Sequence, residues 1–207
     1  MTLRVALVDY GAGNLTSVRK ALSAVGADVF VPVTPAEVRQ AGAVVVPGVG
    51  HFAATAALDE PWRDAVKASV ASGHALLGIC LGMQWLFEGS SEAPEIEGLG
   101  LLPGRCVRLD EIGATTGLKI PHVGWNDVAP CEPSEWQAGL PAGSQAYFTH
   151  SYAVSVGPDA IATTTHGATF ASAVARGCIC GVQFHPEKSG EVGLVLLANF
   201  LRIARGA

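Results

Sequence analysis

No stretch of this chain approaches the roughly 20 uncharged residues that a bilayer-spanning helix needs. The opening MTLRVALVDYGAGN has neither the basic flank nor the cleavage pattern of a secretory leader. These absences predict a cytoplasmic protein without a membrane partner. Lysine and arginine are sparse, 13 in total and nowhere clustered, and the net charge is -5. Nucleic acid needs a concentrated basic face, so no nucleic-acid partner is expected. The five cysteines are odd in number and irregularly spaced, which argues against a disulfide framework. Only Cys178 and Cys180 stand close together, in GCICGVQF. With no second ligand pair nearby they read as strand packing, and neither a metal nor a cofactor is expected.

What is present is an ordinary globular balance: 49% hydrophobic and 15% charged residues over 207 positions, enough to bury one substantial core. With no repeat or low-complexity linker, residues 1–207 are expected to form a single domain. RVALVDY, ADVFVP, AGAVVVPG and ALLGIC read as strands. NLTSVRKALSAVG, PWRDAVKASVASG and LGMQWLFEG alternate with them as helices, Pro61 suiting a first helical turn. The strands are continuously apolar, the habit of a parallel sheet covered on both faces. From Gly98 onward shorter, turn-separated β segments follow: GLLPGRCVRL, KIPHVGWNDV, QAYFTHSYAV, AIATTTH, FASAVARG and CICGVQF. A closing amphipathic helix, EVGLVLLANFLRIA, is expected to pack back on the sheet. The fold class is therefore α/β: a flavodoxin-like, doubly wound, mostly parallel sheet flanked by helices, with additional antiparallel β segments in the C-terminal half.

The sharpest local signal is Gly78-Ile79-Cys80-Leu81-Gly82, where a strand ends, a cysteine takes the turn and a helix leaves. Small flanking residues relieve crowding around such an elbow. A helix N-terminus beside sulfur favours the thiolate, and the Leu81 N–H can serve an oxyanion. Taken singly, Cys80 could equally be a small buried hydrophobe. A nucleophile needs a base. Of six histidines only His185 follows a strongly apolar strand and is trailed two residues later by a carboxylate, Glu187, in QFHPEK. That is the arrangement in which a third group orients the base. The loop VVVPGVGHF adds Gly48 and Gly50, which free the backbone around Val49 to turn N–H groups toward a ligand.

GICLGMQ, the distant HPE and PGVGHF together resemble the class I, triad-type glutamine amidotransferases. DYGAGN, GLGLLPG, PHVGWN, YFTHSY and QFHPEKSG extend the resemblance along the whole chain, and PGVG marks the glutaminase branch that works with a (βα)8-barrel cyclase in histidine biosynthesis. The resemblance implies that Cys80 attacks L-glutamine, that His185 is general base and then acid, and that Glu187 holds His185. It implies an oxyanion site at Leu81, Gly48 and Val49. Gln84 and Glu92 would contact the substrate head group, with Ser151 and Tyr152 offering backbone groups to its carboxylate. Trp125 and Lys188 would face the cyclase, with Asn14, Tyr147 and His150 near that interface or its ammonia gate. Ammonia would pass to the cyclase, which acts on the phosphoribosyl-formimino-carboxamide ribonucleotide PRFAR. The glycines bracketing Val49 further predict a peptide that turns to open the site. Two other readings compete: a free-standing thiol hydrolase or an amidotransferase for another acceptor, and a glutamine-binding regulatory subunit without turnover.

Overall fold

The computed structural model describes residues 3–113 and 117–206. The first half alternates as β1 (Arg4–Leu7), α1 (Leu15–Ala24), β2 (Asp28–Phe30), α2 (Pro35–Arg39), β3 (Ala43–Gly48), α3 (Glu60–Ala71), β4 (Ala75–Cys80) and α4 (Leu81–Leu86). Local chemistry sets the helix starts. Asn14 Oδ1 accepts the Ser17 N–H and begins α1, while Asp59 caps α3 through the Trp62 N–H with Pro61 in the first turn. Every residue of β3 and β4 is buried. Their period-2 alternation divides them between two cores. Val45 and Leu77 face Val18, Leu22, Leu197 and Phe200, whereas Val44, Val46 and Leu76 face Val66, Trp85 and Leu86. Full burial of one such aliphatic side chain contributes about 1.5–3 kcal/mol.

The second half comprises β5 (Gly89–Ser90), β6 (Arg105–Arg108), α5 (Leu109–Ile112), β7 (His122–Asp127), β8 (Ala129–Pro130), β9 (Gln145–His150), β10 (Tyr152–Ala153), β11 (Ala160–His166), β12 (Ala168–Arg176), β13 (Ile179–Val182) and α6 (Gly190–Ala204). One eight-stranded sheet runs β2-β1-β3-β4-β13-β12-β11-β8. It is parallel from β2 through β13 and antiparallel beyond. Of the C-terminal β segments, β8, β11, β12 and β13 thus extend the main sheet. Only β10-β6-β5 and the ribbon β7-β9 stand apart.

Three local readings change. GLLPGRCVRL is a strand only over Arg105–Arg108, its glycine-rich start being loop. QAYFTHSYAV breaks at Ser151, so that β9 joins β7 and β10 joins β6. The short helix α2, which starts with Pro35 in its first turn, and a 3-10 turn over Phe52–Ala57 lie where no helix is read from the sequence, being too short to show an apolar period. Cys180 is buried in β13, Cys178 precedes it, and all five cysteines are free. Among the described residues no helix is long and apolar enough to cross a membrane, and no group of three His, Cys, Asp or Glu side chains could hold a metal.

Candidate active site

The end of β4 places Cys80 in an unusual backbone state. Its φ of 53° and ψ of -107° make it the only non-glycine residue with positive φ among those described. Such a state costs on the order of 1–3 kcal/mol and persists only where its surroundings impose it. They do so here, because β4 is locked between β3 and β13 and the helix must start at once. A Cβ on Gly82 would land in the Val46 carbonyl, and one on Gly78 would meet the Gly82 carbonyl oxygen at 2.7 Å. Only glycine admits the helix this close to the sheet.

Around the sulfur, Gln183 Nε2 donates to Sγ at 3.5 Å and the Thr149 carbonyl lies 4.0 Å away. Leu81 is the first residue of α4, where an amide has no acceptor within the helix. His185 follows β13 and is anchored by its own N–H to the Tyr147 carbonyl at 2.9 Å. Its Nδ1 meets Glu187 Oε1 at 2.9 Å, with the two side chains 2% and 1% exposed. His185 Nε2 and Glu187 Oε2 have no hydrogen-bond partner among the described residues. Burial alone would lower the His185 pKa, but the Cys80 sulfur and the Glu187 carboxylate outweigh it and hold the imidazole up at about 9. A thiol, an imidazole and a carboxylate in this order can take a proton from sulfur and return it to a leaving group.

A cleft of about 300 Å³ opens on Cys80 and is lined by Leu81, Gln84, Glu92, Ser151 and Tyr152, together with Gly50, Pro121, Thr149 and His150. That is the small end of the range for ligand sites, suited to a small polar molecule. Gln84 is buried and its amide nitrogen is already engaged, by the Tyr152 carbonyl at 2.9 Å and Gln183 Oε1 at 3.2 Å. Glu92 accepts the Phe52 N–H at 2.7 Å and so ties its loop to the segment after Gly50. Gly48 ends β3 beside Cys80 in register. The Val49 N–H is donated to the Ala12 carbonyl at 3.2 Å, so in this conformation it serves that loop and no oxyanion.

The remaining singled-out residues fall in two places. Trp125 is 56% exposed on β7, edge-on to Tyr147 at 6.3 Å, with the Lys188 ammonium over the Tyr147 ring at 5.5 Å. Asn14 is exposed and caps α1. His150, by contrast, is largely buried in the cleft wall and hydrogen-bonded to His122. Two residues near the sulfur went unread. Gln183 is a fully buried amide in the apolar run GVQF, and that misplaced polar residue was the signal. Tyr10 turns a buried, unpartnered hydroxyl against Gly48, which only its place in DYGAGN could have flagged.

The fold is that of the class I glutamine amidotransferases, and the family model for glutamine amidotransferase class-I matches residues 6–204. The imidazole glycerol phosphate synthase subunit HisH of Pyrococcus furiosus is 45% identical over 203 residues, covering 97% of this chain and 99% of its own. The same subunit of Symbiobacterium thermophilum is 46% identical over 208 residues, covering 97% and 94%. Among solved structures, that of PurLQS from Thermotoga maritima superposes with a TM-score of 0.76 at 18% identity, covering 98% of this chain and 99% of that one, and speaks to the fold. The chain belongs to the class I glutamine amidotransferase family, in its branch of HisH glutaminase subunits of imidazole glycerol phosphate synthase.

Proposed function

We propose that Cys80, His185 and Glu187 carry the glutaminase chemistry of this subunit. Cys80 Sγ adds to the side-chain amide carbon of L-glutamine, and the thiol proton goes to His185. An imidazole held at about 9 keeps that proton until the leaving nitrogen takes it, and ammonia departs. A γ-glutamyl thioester remains. Water, deprotonated by His185, attacks it, and the proton returns to sulfur as glutamate leaves. Glu187 holds the ring by its 2.9 Å bond to Nδ1 and stabilises its charge. Leu81 N–H is one oxyanion donor, an interaction that can contribute roughly 3 kcal/mol. Gln84, Glu92, Ser151 and Tyr152 hold the amino-acid end of the substrate. The observation that carries this reading is the strained Cys80 opening into the cleft, with a buried His185–Glu187 pair behind it.

The second oxyanion donor explains a conditional enzyme. Val49 N–H is bound to Ala12, and turning the Gly48–Val49 peptide would redirect it toward the thioester carbon's oxygen. Gly50, at φ 98°, supplies a hinge on one side. We place this turn under the control of a (βα)8-barrel cyclase subunit, in a cytoplasmic heterodimer with residues 1–207 acting as one domain. Trp125, Tyr147, Lys188 and Asn14 lie on the docking side. Free ammonia would be protonated in water and lose its nucleophilicity, so it passes directly to the cyclase, which converts PRFAR to imidazole glycerol phosphate and AICAR. The test is glutamate release by the chain alone and with cyclase plus PRFAR, beside Cys80→Ala. A large rise abolished by the substitution is expected; equal rates with and without partner would refute the conditional reading.

A further inference from the structure

Asn126, His122 and His150 form a hydrogen-bonded chain ending on the cleft wall, and backbone groups at its two ends determine the direction of every bond. Asn126 Oδ1 accepts the Asp127 N–H at 2.8 Å, and its Nδ2 donates to the Thr165 carbonyl at 3.0 Å. A backbone N–H only donates and a carbonyl only accepts, so the amide can face one way alone. The other Nδ2 hydrogen is then given to His122 Nε2, 3.1 Å away, which must be a bare acceptor. His122 therefore carries its proton on Nδ1 and donates it to His150 Nε2 at 3.0 Å. His150 in turn carries its proton on Nδ1 and donates to the Tyr152 carbonyl at 2.9 Å. That carbonyl also accepts from Gln84 Nε2 at 2.9 Å, so both its lone pairs are used.

Such a chain works only with neutral rings, and their surroundings keep them so. His122 and His150 are 3% and 7% exposed. Burial pushes their pKa values down to about 4 and about 3. The titratable groups acting on them are bases: His166, stacked on His122 at 4.2 Å, and for His150 also His122 and His185. Nearby Phe148 and Phe170 add only apolar rings.

We propose that His122 and Asn126 are positioning residues for the amino-acid substrate. Their chain draws the Tyr152 carbonyl back against Gln84, so that the Ser151–Tyr152 wall offers no carbonyl oxygen to the substrate carboxylate. This rests on the glutamine reading of that wall given above. A carbonyl released into the cleft would repel the carboxylate and weaken binding.

The experiment uses the full chain carrying Cys80→Ala, in complex with its cyclase subunit, so that glutamine binds without turnover. Nitrogen-15 histidine spectra should show both His122 and His150 as neutral Nδ1–H tautomers, a readout that needs no change in the chain of bonds. Two substitutions then separate relay from packing. His122→Asn puts an amide nitrogen where Nδ1 was and keeps the donor to His150. His122→Phe keeps the ring stacked on His166 and Phe148 but has no donor. Glutamine affinity by calorimetry should stay within about threefold for the asparagine variant and fall about tenfold for the phenylalanine one, the loss expected of one neutral hydrogen bond. An Nε2–H tautomer in either ring, or an asparagine variant that binds no tighter than the phenylalanine one, overturns the proposal and leaves the thiol glutaminase standing. A parent that binds no glutamine overturns both.

Discussion

Replacing Glu187 by glutamine separates the charge of the buried carboxylate from its shape. The amide oxygen can still accept from His185 Nδ1, now 2.9 Å from Oε1, but the carboxylate's share of the attraction that raises the imidazole pKa is gone, leaving that of Cys80. In the wild-type chain that pKa is about 9, against 6.5 for an unperturbed imidazole. Between those values the folded protein keeps a proton that the unfolded chain has released. The stability this contributes is complete below pH 6.5 and is lost as pH rises through 9. At 1.36 kcal/mol per pH unit, the full span corresponds to about 3 kcal/mol. In Glu187→Gln the Cys80 contribution remains but that of the carboxylate is lost, so the imidazole pKa drops and this loss should shrink. Urea denaturation of both proteins at pH 6.5, 7.5, 8.5 and 9.5 reads it directly. Other groups titrating near pH 9 are common to both and cancel in the difference. Partner-stimulated turnover should also fall at least tenfold, because the ring is no longer charge-stabilised. Identical pH slopes would refute the claim that the Glu187 charge helps raise the His185 proton affinity.

Three further outcomes are expected. Cys80→Gly should be more stable than Cys80→Ala by about 1 kcal/mol, since glycine accepts the φ of 53° that alanine resists; denaturation midpoints decide it, and equal stability would remove the strain. Gly82→Ala drives a methyl into the Val46 carbonyl and should cost about 3 kcal/mol or more, a loss below about 1 kcal/mol showing that α4 can retreat. Trp125→Ala removes a half-exposed ring and should weaken cyclase binding about tenfold with the melting temperature of the free chain unchanged, as titration calorimetry and a thermal melt would show.

How much of this could be read beforehand depended on the range of the interaction. The elbow at Cys80 was legible because its cause is local: two glycines, a strand and a helix within five residues. The parallel core was legible because β3 and β4 are buried along their whole length. The pairing of β13 with β4 was not, since a strand near the C-terminus gives no local sign of its neighbour. Nor was the split of QAYFTHSYAV between two sheets, which turns on a single break at Ser151. The orientation of the Val49 N–H escapes sequence altogether, because glycines on both sides permit either direction. The Asn126–His122–His150 chain is invisible for another reason: His150 meets His122 only across the β7-β9 ribbon, and the Thr165 carbonyl that orients Asn126 comes from β11.

That ribbon also suggests why docking and chemistry should be coupled in this chain. Its outer side presents Val123 and Trp125, both more than half exposed, with Trp125 packed edge-on to Tyr147. Its inner side buries His122, Phe148 and His150, which back the cleft. A two-stranded ribbon has no layer between its faces, so a displacement of one is a displacement of the other. The backbone makes the connection more direct still. The Tyr147 carbonyl takes the His185 N–H at 2.9 Å, and the Tyr147 N–H is held by Ser189 Oγ at 3.0 Å, whose hydroxyl in turn donates to the His185 carbonyl at 2.6 Å. A partner pressing on Trp125 and Tyr147 therefore bears on the residue to which the proposed base is tied. On the conditional reading, the same strand that receives the cyclase holds His185 in place, and the affinity and the stimulated rate should both respond when its outer face is altered.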